Sequence, residues 1–172
     1  MKIVLVILMI SLVAVLGCTQ PDKQQNDPPA EAATGEATET PVEGTYQTGT
    51  WIEDFVQAKE HSKELNRPIL MNFTGSDWCK WCFKLRDEVF TQDAFKDYAK
   101  DNLVLLTVDF PMKRQLPQEQ QAANEALQQH YGIEGYPTIL LVDSEGKEIG
   151  RTGYQPGGPE NYVKHLRELL TK

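Results

Sequence analysis

One central mixed β-sheet flanked by helices on both faces is the α/β architecture this sequence predicts, and three observations predict it. Two short, mostly apolar runs, Ile69 to Phe73 and Leu103 to Asp109, read as strands, the first suited to burial on both faces. A stretch of helical character lies between them, and a strand–helix–strand unit of this kind closes as a right-handed parallel crossover. Two further strand segments, the apolar Pro137 to Val142 and the more polar Lys147 to Thr152, are separated only by the turn residues Asp143-Ser144-Glu145-Gly146 and read as an antiparallel hairpin. Layer packing then places helices on both faces of the mixed sheet.

Taken in chain order, the elements begin late. Met1-Lys2 is followed by an apolar run from Ile3 to Leu16, shorter than the roughly 20 residues of a membrane span and suited to a secretory signal over 1–17. Residues 18–49 are rich in Pro, Glu, Thr, Gln and Ala, and six acids stand there against Lys23 alone. Such a composition buries too little apolar surface to offset chain entropy, so it reads as a disordered acidic tether. The folded domain is expected over 50–172. Thr50 with Glu53 fits a capping box, and Trp51, Phe55, Ala58 and Leu65 recur at helical spacing, so a helix is predicted from Trp51 to Leu65, stopped by Asn66-Arg67-Pro68. After the first strand, Gly75-Ser76-Asp77 forms a loop, and a helix opens near Cys79 and carries Phe83, Leu85 and Val89. Thr91 or Asp93 caps another helix with Ala94, Phe95, Tyr98 and Ala99. Beyond the second strand, Pro117 takes a first helical position, Glu119 to Gln129 is rich in helix formers, and Gly132 stops the run. Pro159 opens a last helix with Tyr162, Val163, Leu166, Leu169 and Leu170 facing inward.

Charge and cysteine content narrow the chemistry. The net charge is −8, and no basic patch of the kind that grips nucleic acid is present. There are three cysteines, Cys18, Cys79 and Cys82, too few for a disulfide framework. Cys79-Lys80-Trp81-Cys82 sits between a buried-type strand and a helix, where this spacing reads as a redox pair. Cys79 lies at the helix N-terminus, whose free N–H groups favour the thiolate, and Lys80 adds positive charge. Cys82, one turn further in and less exposed, is suited to resolve a mixed disulfide. Zinc needs four ligands, and His61, His130 and His165 are scattered away from the pair, so no metal and no cofactor are expected. Haem attachment needs a histidine where Phe83 stands. His130 falls near a helix C-terminus, a favourable place for it. Phe110-Pro111 and Gln155 to Gly158 read as plain loops.

Two motifs carry a family resemblance. Phe73-Thr74-Gly75-Ser76-Asp77-Trp78-Cys79-Lys80-Trp81-Cys82 resembles the active-site segment of the thioredoxin superfamily, nearest its extracytoplasmic Trp-Cys-x-x-Cys branch. Tyr131 to Thr138, with Tyr136-Pro137-Thr138 at its end, resembles the second hallmark, and Asp143 to Gly153 matches the hairpin after it. The resemblance covers 50–172 and implies a thioredoxin-like fold, with Cys79 as nucleophile and Cys82 as resolving thiol. It implies a cis Pro137 beside the cysteines, with Tyr136 exposing its backbone to a strand-like substrate segment. Trp78 and Trp81 complete the implied docking surface. One position departs from the pattern. Asn72 stands where thioredoxins carry a buried Asp as proton acceptor, leaving water, Glu53, Asp54 or Asp77 as candidates. Separately, Val15-Leu16-Gly17-Cys18 resembles a bacterial lipobox, which implies lipid on Cys18 and a membrane tether. With Thr19 after it, the sorting rule favours the outer membrane where there are two.

The expected protein is therefore a monomeric, membrane-tethered thiol–disulfide oxidoreductase of the cell envelope, facing the periplasm or exterior. Its partners are protein thiols and disulfides and a membrane thiol electron donor. Reduction is the favoured direction. An oxidant that installs disulfides, and a non-catalytic binding module with a static Cys79–Cys82 bond, stay open at this point.

Overall fold

The computed structural model describes residues 46–171. The expectations for the signal at 1–17, for Cys18 and for most of the tether lie outside those residues.

Five strands form one sheet in the order β1-β3-β2-β4-β5. The central strands are β2 (Ile69–Thr74) and β3 (Val104–Asp109), paired in parallel from Ile69↔Val104 to Thr74↔Asp109. β4 (Thr138–Val142) runs antiparallel to β2, and β5 (Glu148–Thr152) antiparallel to β4. The sheet is thus mixed, with the predicted crossover and hairpin as its two halves.

The pleat divides the core into two layers. Leu70, Leu105, Ile139 and Leu141 face one side, where they meet Leu85, Val89 and Phe90, then Phe95, Tyr98 and Ala99 of α3 (Asp93–Asn102), and Tyr162, Val163 and Leu166 of α5 (Gly158–Leu170). Ile69, Met71, Phe73, Val104, Leu106, Val108 and Leu140 face the other, against Ala58 of α1 (Phe55–Leu65) and Leu127 of α4 (Gln118–His130). α2 (Lys80–Leu85) continues into a π-helical turn, Arg86–Phe90, which turns Val89 and Phe90 toward the first layer. Tyr162 is fully buried, its hydroxyl donates to the Gly153 carbonyl, and burial pushes its pKa up.

The start of the domain differs from the expected helix. Trp51–Ile52 is a short strand, β1, paired in parallel with Leu105 and Leu106 of β3. The open edge of β3 presents unpaired N–H and C=O groups, and Trp51 and Ile52 suit a strand that covers it. Thr50 caps no helix; its hydroxyl donates to the Gln47 carbonyl. The helix starts at Phe55 because the Asp54 carboxylate accepts from Val56 N and Gln57 N. Asn66, in a left-handed conformation, closes it as expected. Pro117 is the residue before α4 and not its first helical residue. Tyr46, placed by composition in the tether, packs against the second core layer and stacks on His61. Its hydroxyl donates to Thr50 O and accepts from Leu105 N, so it also covers the β3 edge.

Candidate active site

Both cysteines among the described residues follow the C-terminal end of β2. The strand delivers the chain to Gly75, whose carbonyl accepts from Trp78 N and Cys79 N, and this tight loop hands over to α2. Cys79 is the N-cap of α2 and is disulfide-bonded to Cys82, with Cα atoms 5.2 Å apart. The Cys82 amide N–H donates to Cys79 Sγ at 3.2 Å. That bond and the helix N-terminus stabilise negative charge on Cys79 when the bond opens.

Exposure does not separate the two cysteines as expected, for Cys79 is 5% and Cys82 6% exposed. Surroundings separate them. Cys79 stands in the chain between two exposed tryptophans, Trp78 and Trp81. Cys82, and not Cys79, lines a cavity of about 390 Å³ that Asn72, Thr74, Ser76 and Thr107 also line.

The peptide bond between Tyr136 and Pro137 is cis. The β2–β4 register pairs Phe73 with Thr138, so Pro137 comes opposite the chain as it leaves β2 for the cysteine loop. Trp78 meets Tyr136 edge-on at 5.8 Å between centroids, which joins the two loops. Trp78 thus links the loop of the Cys79–Cys82 pair to the Tyr136–Pro137 loop, while Trp81 makes a separate contact. Trp81 tilts against Tyr154 at 5.3 Å, and Lys84 lies over both rings. The Tyr154 hydroxyl donates to Glu88, and contact first with Tyr154 and then with Glu88 pushes the Lys84 pKa up.

Several site residues escaped the sequence reading. Phe110 is no plain loop residue: its carbonyl accepts the Trp78 indole N–H at 2.8 Å and its ring packs on Tyr136 at 5.2 Å. Tyr154 likewise forms a wall of the site. Asp109 is 3% exposed and accepts from Ser76 N, Ser76 Oγ and the Arg114 guanidinium. It ties β3 to the loop before the cysteines. Its signal was present in the alternation Leu105, Thr107, Asp109, which turns polar toward the end of one sheet face.

The candidate proton acceptors resolve as corrections. Asp54 caps α1. Asp77 accepts from the Met112 and Lys113 amides, and those hydrogen bonds, the first above all, hold its carboxyl below the usual range. Neither they nor Glu53 line the cavity beside Cys82. His130 ends α4 as expected and meets the Tyr131 ring edge-on. Among the described residues no group of three or more His, Cys, Asp or Glu is placed to hold a metal ion.

The arrangement suits thiol–disulfide exchange: one sulfur at a helix N-terminus under an accessible aromatic rim, and a second sulfur in bonding distance behind it. Known proteins agree with this chemistry. The profile of the thioredoxin-like domain family matches residues 55–170. The disulfide bond reductase DsbH of Chlamydia pneumoniae is 41% identical over 118 residues, 69% of this chain and 71% of that protein. The thiol:disulfide interchange protein DsbD of Pseudoalteromonas atlantica is 30% identical over 122 residues, 69% of this chain but only 19% of DsbD. A solved structure of a DsbH oxidoreductase superposes with a TM-score of 0.69 at 37% identity, covering 81% of this chain and 96% of that one. A thioredoxin of Thermus thermophilus, at 16% identity and a TM-score of 0.52 over 69% of this chain and 85% of its own, shares the fold. By its profile match and its relatives, this chain belongs to the thioredoxin-like family.

Proposed function

We propose that this thioredoxin-like thiol–disulfide oxidoreductase works as a reductase on disulfides of extracytoplasmic proteins. The observation that carries it is the Cys79 sulfur at the head of α2, accepting the Cys82 amide between two exposed tryptophans. Reduced Cys79 attacks a substrate disulfide as the thiolate. One substrate sulfur leaves as a thiol, and the other stays bonded to Cys79. Cys82 then attacks Cys79, releases the second substrate thiol and leaves the pair oxidised, the state seen here. A donor must return two electrons, and a membrane thiol carrier fits that need. The similarity to a protein named as a disulfide bond reductase supports the direction.

Substrate docks across Trp78, Trp81, Tyr136 and Pro137. Trp78 is 41% and Trp81 52% exposed, and Met112, 75% exposed, stands beside them on the loop anchored by Asp77. The chain end of the sheet next to Pro137 gives a substrate segment backbone groups to pair with. Lipid on Cys18 and an outer-membrane address belong to the same proposal and rest on the lipobox resemblance. No helix among the described residues is long and apolar enough to cross a membrane.

The test is the reduction potential of the full-length protein, read by alkylation in thiol–disulfide buffers. A value near about −270 mV, as for thioredoxin, supports a reductase, and one near about −120 mV marks an oxidant instead. A pair that stays oxidised in strong thiol is a static bond and ends the enzyme reading. Mass spectrometry of the mature N-terminus decides the lipid on Cys18.

A further inference from the structure

Resolution of the mixed disulfide needs Cys82 to lose a proton, and Cys82 is buried. Where that proton goes is written in the cavity beneath α2. β2 turns from apolar to polar along one face, Leu70 then Asn72 then Thr74, and its partner β3 does the same, Leu105 then Thr107. The two polar steps lie side by side, since Asn72 pairs with Thr107 in the register. Together with Ser76 they line the cavity that Cys82 enters. Asn72 Oδ1 is buried and has no hydrogen-bond partner in the protein. A buried acceptor left unpaired costs about 1–3 kcal/mol, so a group of this kind needs a reason. The cavity of about 390 Å³ is largely apolar, with Trp51, Phe83 and Phe90 in its lining, but it has room for water at the polar cluster of Asn72, Thr74, Ser76 and Thr107, and water is the partner that satisfies such an amide.

We propose that Asn72 is a positioning residue for the resolving step: its amide, with the hydroxyls of Thr74, Ser76 and Thr107, holds water against Cys82, and that water takes the Cys82 proton. This rests on the exchange function proposed above. The step balances. Cys82 S–H gives its proton to water, and the Cys82 thiolate attacks Cys79 Sγ. The bond from Cys79 to the substrate sulfur breaks, the Cys79–Cys82 bond forms, and the departing substrate thiolate takes a proton from solvent. No side-chain carboxylate enters.

The charged groups nearby fit that assignment. Arg86 lines the cavity from the helical side and pairs with Asp87. Trp51 on β1 and Thr107 on β3 bring no charge to it. Asp109 lies beyond Ser76, already accepting from two Ser76 groups and from Arg114.

The experiment follows the full-length protein with a disulfide-bearing peptide by rapid acid quench and alkylation mass spectrometry across pH 5 to 9, separating formation of the mixed disulfide from its resolution. Wild-type resolution is expected to rise with pH through a single ionisation. N72L is expected to slow resolution about tenfold, less than the 10²–10⁴-fold of a side-chain base because water is the acceptor. N72T, which keeps a polar group on the cavity, is expected to stay within about threefold of wild type. N72D is expected to add a second ionisation to the profile. Attack by Cys79, measured in a Cys82→Ser background, is expected to be unchanged by all three. Equal resolution rates in N72L and wild type overturn the proposal, and so does a profile that changes with D109N and not with N72L. Failure of Cys82→Ser to form any mixed disulfide overturns the exchange function itself, a separate outcome.

Discussion

Gly75→Ala puts a methyl group where the indole of Trp78 lies. A Cβ on Gly75 would stand 2.6 Å from Trp78 Nε1 and 2.8 Å from Cζ2, and nearer still to Cε2. Carbon contacts are comfortable near 3.5–4.0 Å, so the ring must withdraw by roughly 1 Å. Withdrawal breaks the 2.8 Å bond from Nε1 to the Phe110 carbonyl, worth about 1 kcal/mol, and loosens the edge contact with Tyr136, worth about 0.5–1.5 kcal/mol. The sum is about 2 kcal/mol, within the range for overpacking. Gly75 has no positive φ, so the cost is steric and belongs to one partner. A double-mutant cycle isolates it. Urea unfolding should show Gly75→Ala costing about 2 kcal/mol in wild type and close to nothing in a Trp78→Ala background. The same substitution should raise KM for a disulfide peptide, because Trp78 is one wall of the docking surface. An equal cost in both backgrounds would refute the assignment, since no clash with Trp78 can then be responsible.

Other consequences are as direct. Cys82→Ser should accumulate mixed disulfides through Cys79 in a thiol-blocked extract, while Cys79→Ser should give none and abolish reductase activity. Asp109→Ala removes the acceptor for Ser76 and Arg114 at a buried site and should cost about 3 kcal/mol in chemical denaturation, near the low end for a broken buried pair because Arg114 is half exposed. Tyr162→Phe deletes the hydroxyl that donates to Gly153 and should cost about 1 kcal/mol. Asp77 has its carboxyl pKa lowered on folding, chiefly by the Met112 amide, so it stabilises the protein above its unfolded value near 3.8 and loses that contribution as pH falls through the lower folded value. Asp77→Asn should therefore flatten the fall in melting temperature below about pH 4, measured by circular dichroism.

Much of this molecule was legible in the chain order of its residues. Ile69–Thr74 and Val104–Asp109 are strands because short, mostly apolar runs of that length have few other homes. The hairpin followed from four turn residues, and the redox pair from Cys79 and Cys82 at the mouth of a helix. Trp51 and Ile52 were misread as helix because their periodicity with Phe55 and Ala58 is local, while the open edge of β3 that recruits them is more than 50 residues away. Distance in sequence likewise hid Phe110, which reaches Trp78 only once β3 lies beside β2, and Tyr154, which meets Trp81 only after β5 has returned across the sheet.

The division has a physical basis. Periodicity, turn chemistry and cysteine spacing act between near neighbours, so strands, helices, hairpin and disulfide pair are already encoded along the chain. The surroundings of each sulfur are set by segments that meet only through burial. Folding makes Cys79 the neighbour of exposed aromatic rings, and it sets Cys82 on a cavity that Asn72 and Thr107 also line. It gives Asp109 to Ser76, and Asp54 and Asp77 to backbone amides. A carboxylate's sequence position shows that it is present. Only the packed structure decides whether it takes a proton, caps a helix or holds a loop, because that depends on which donors have reached it first.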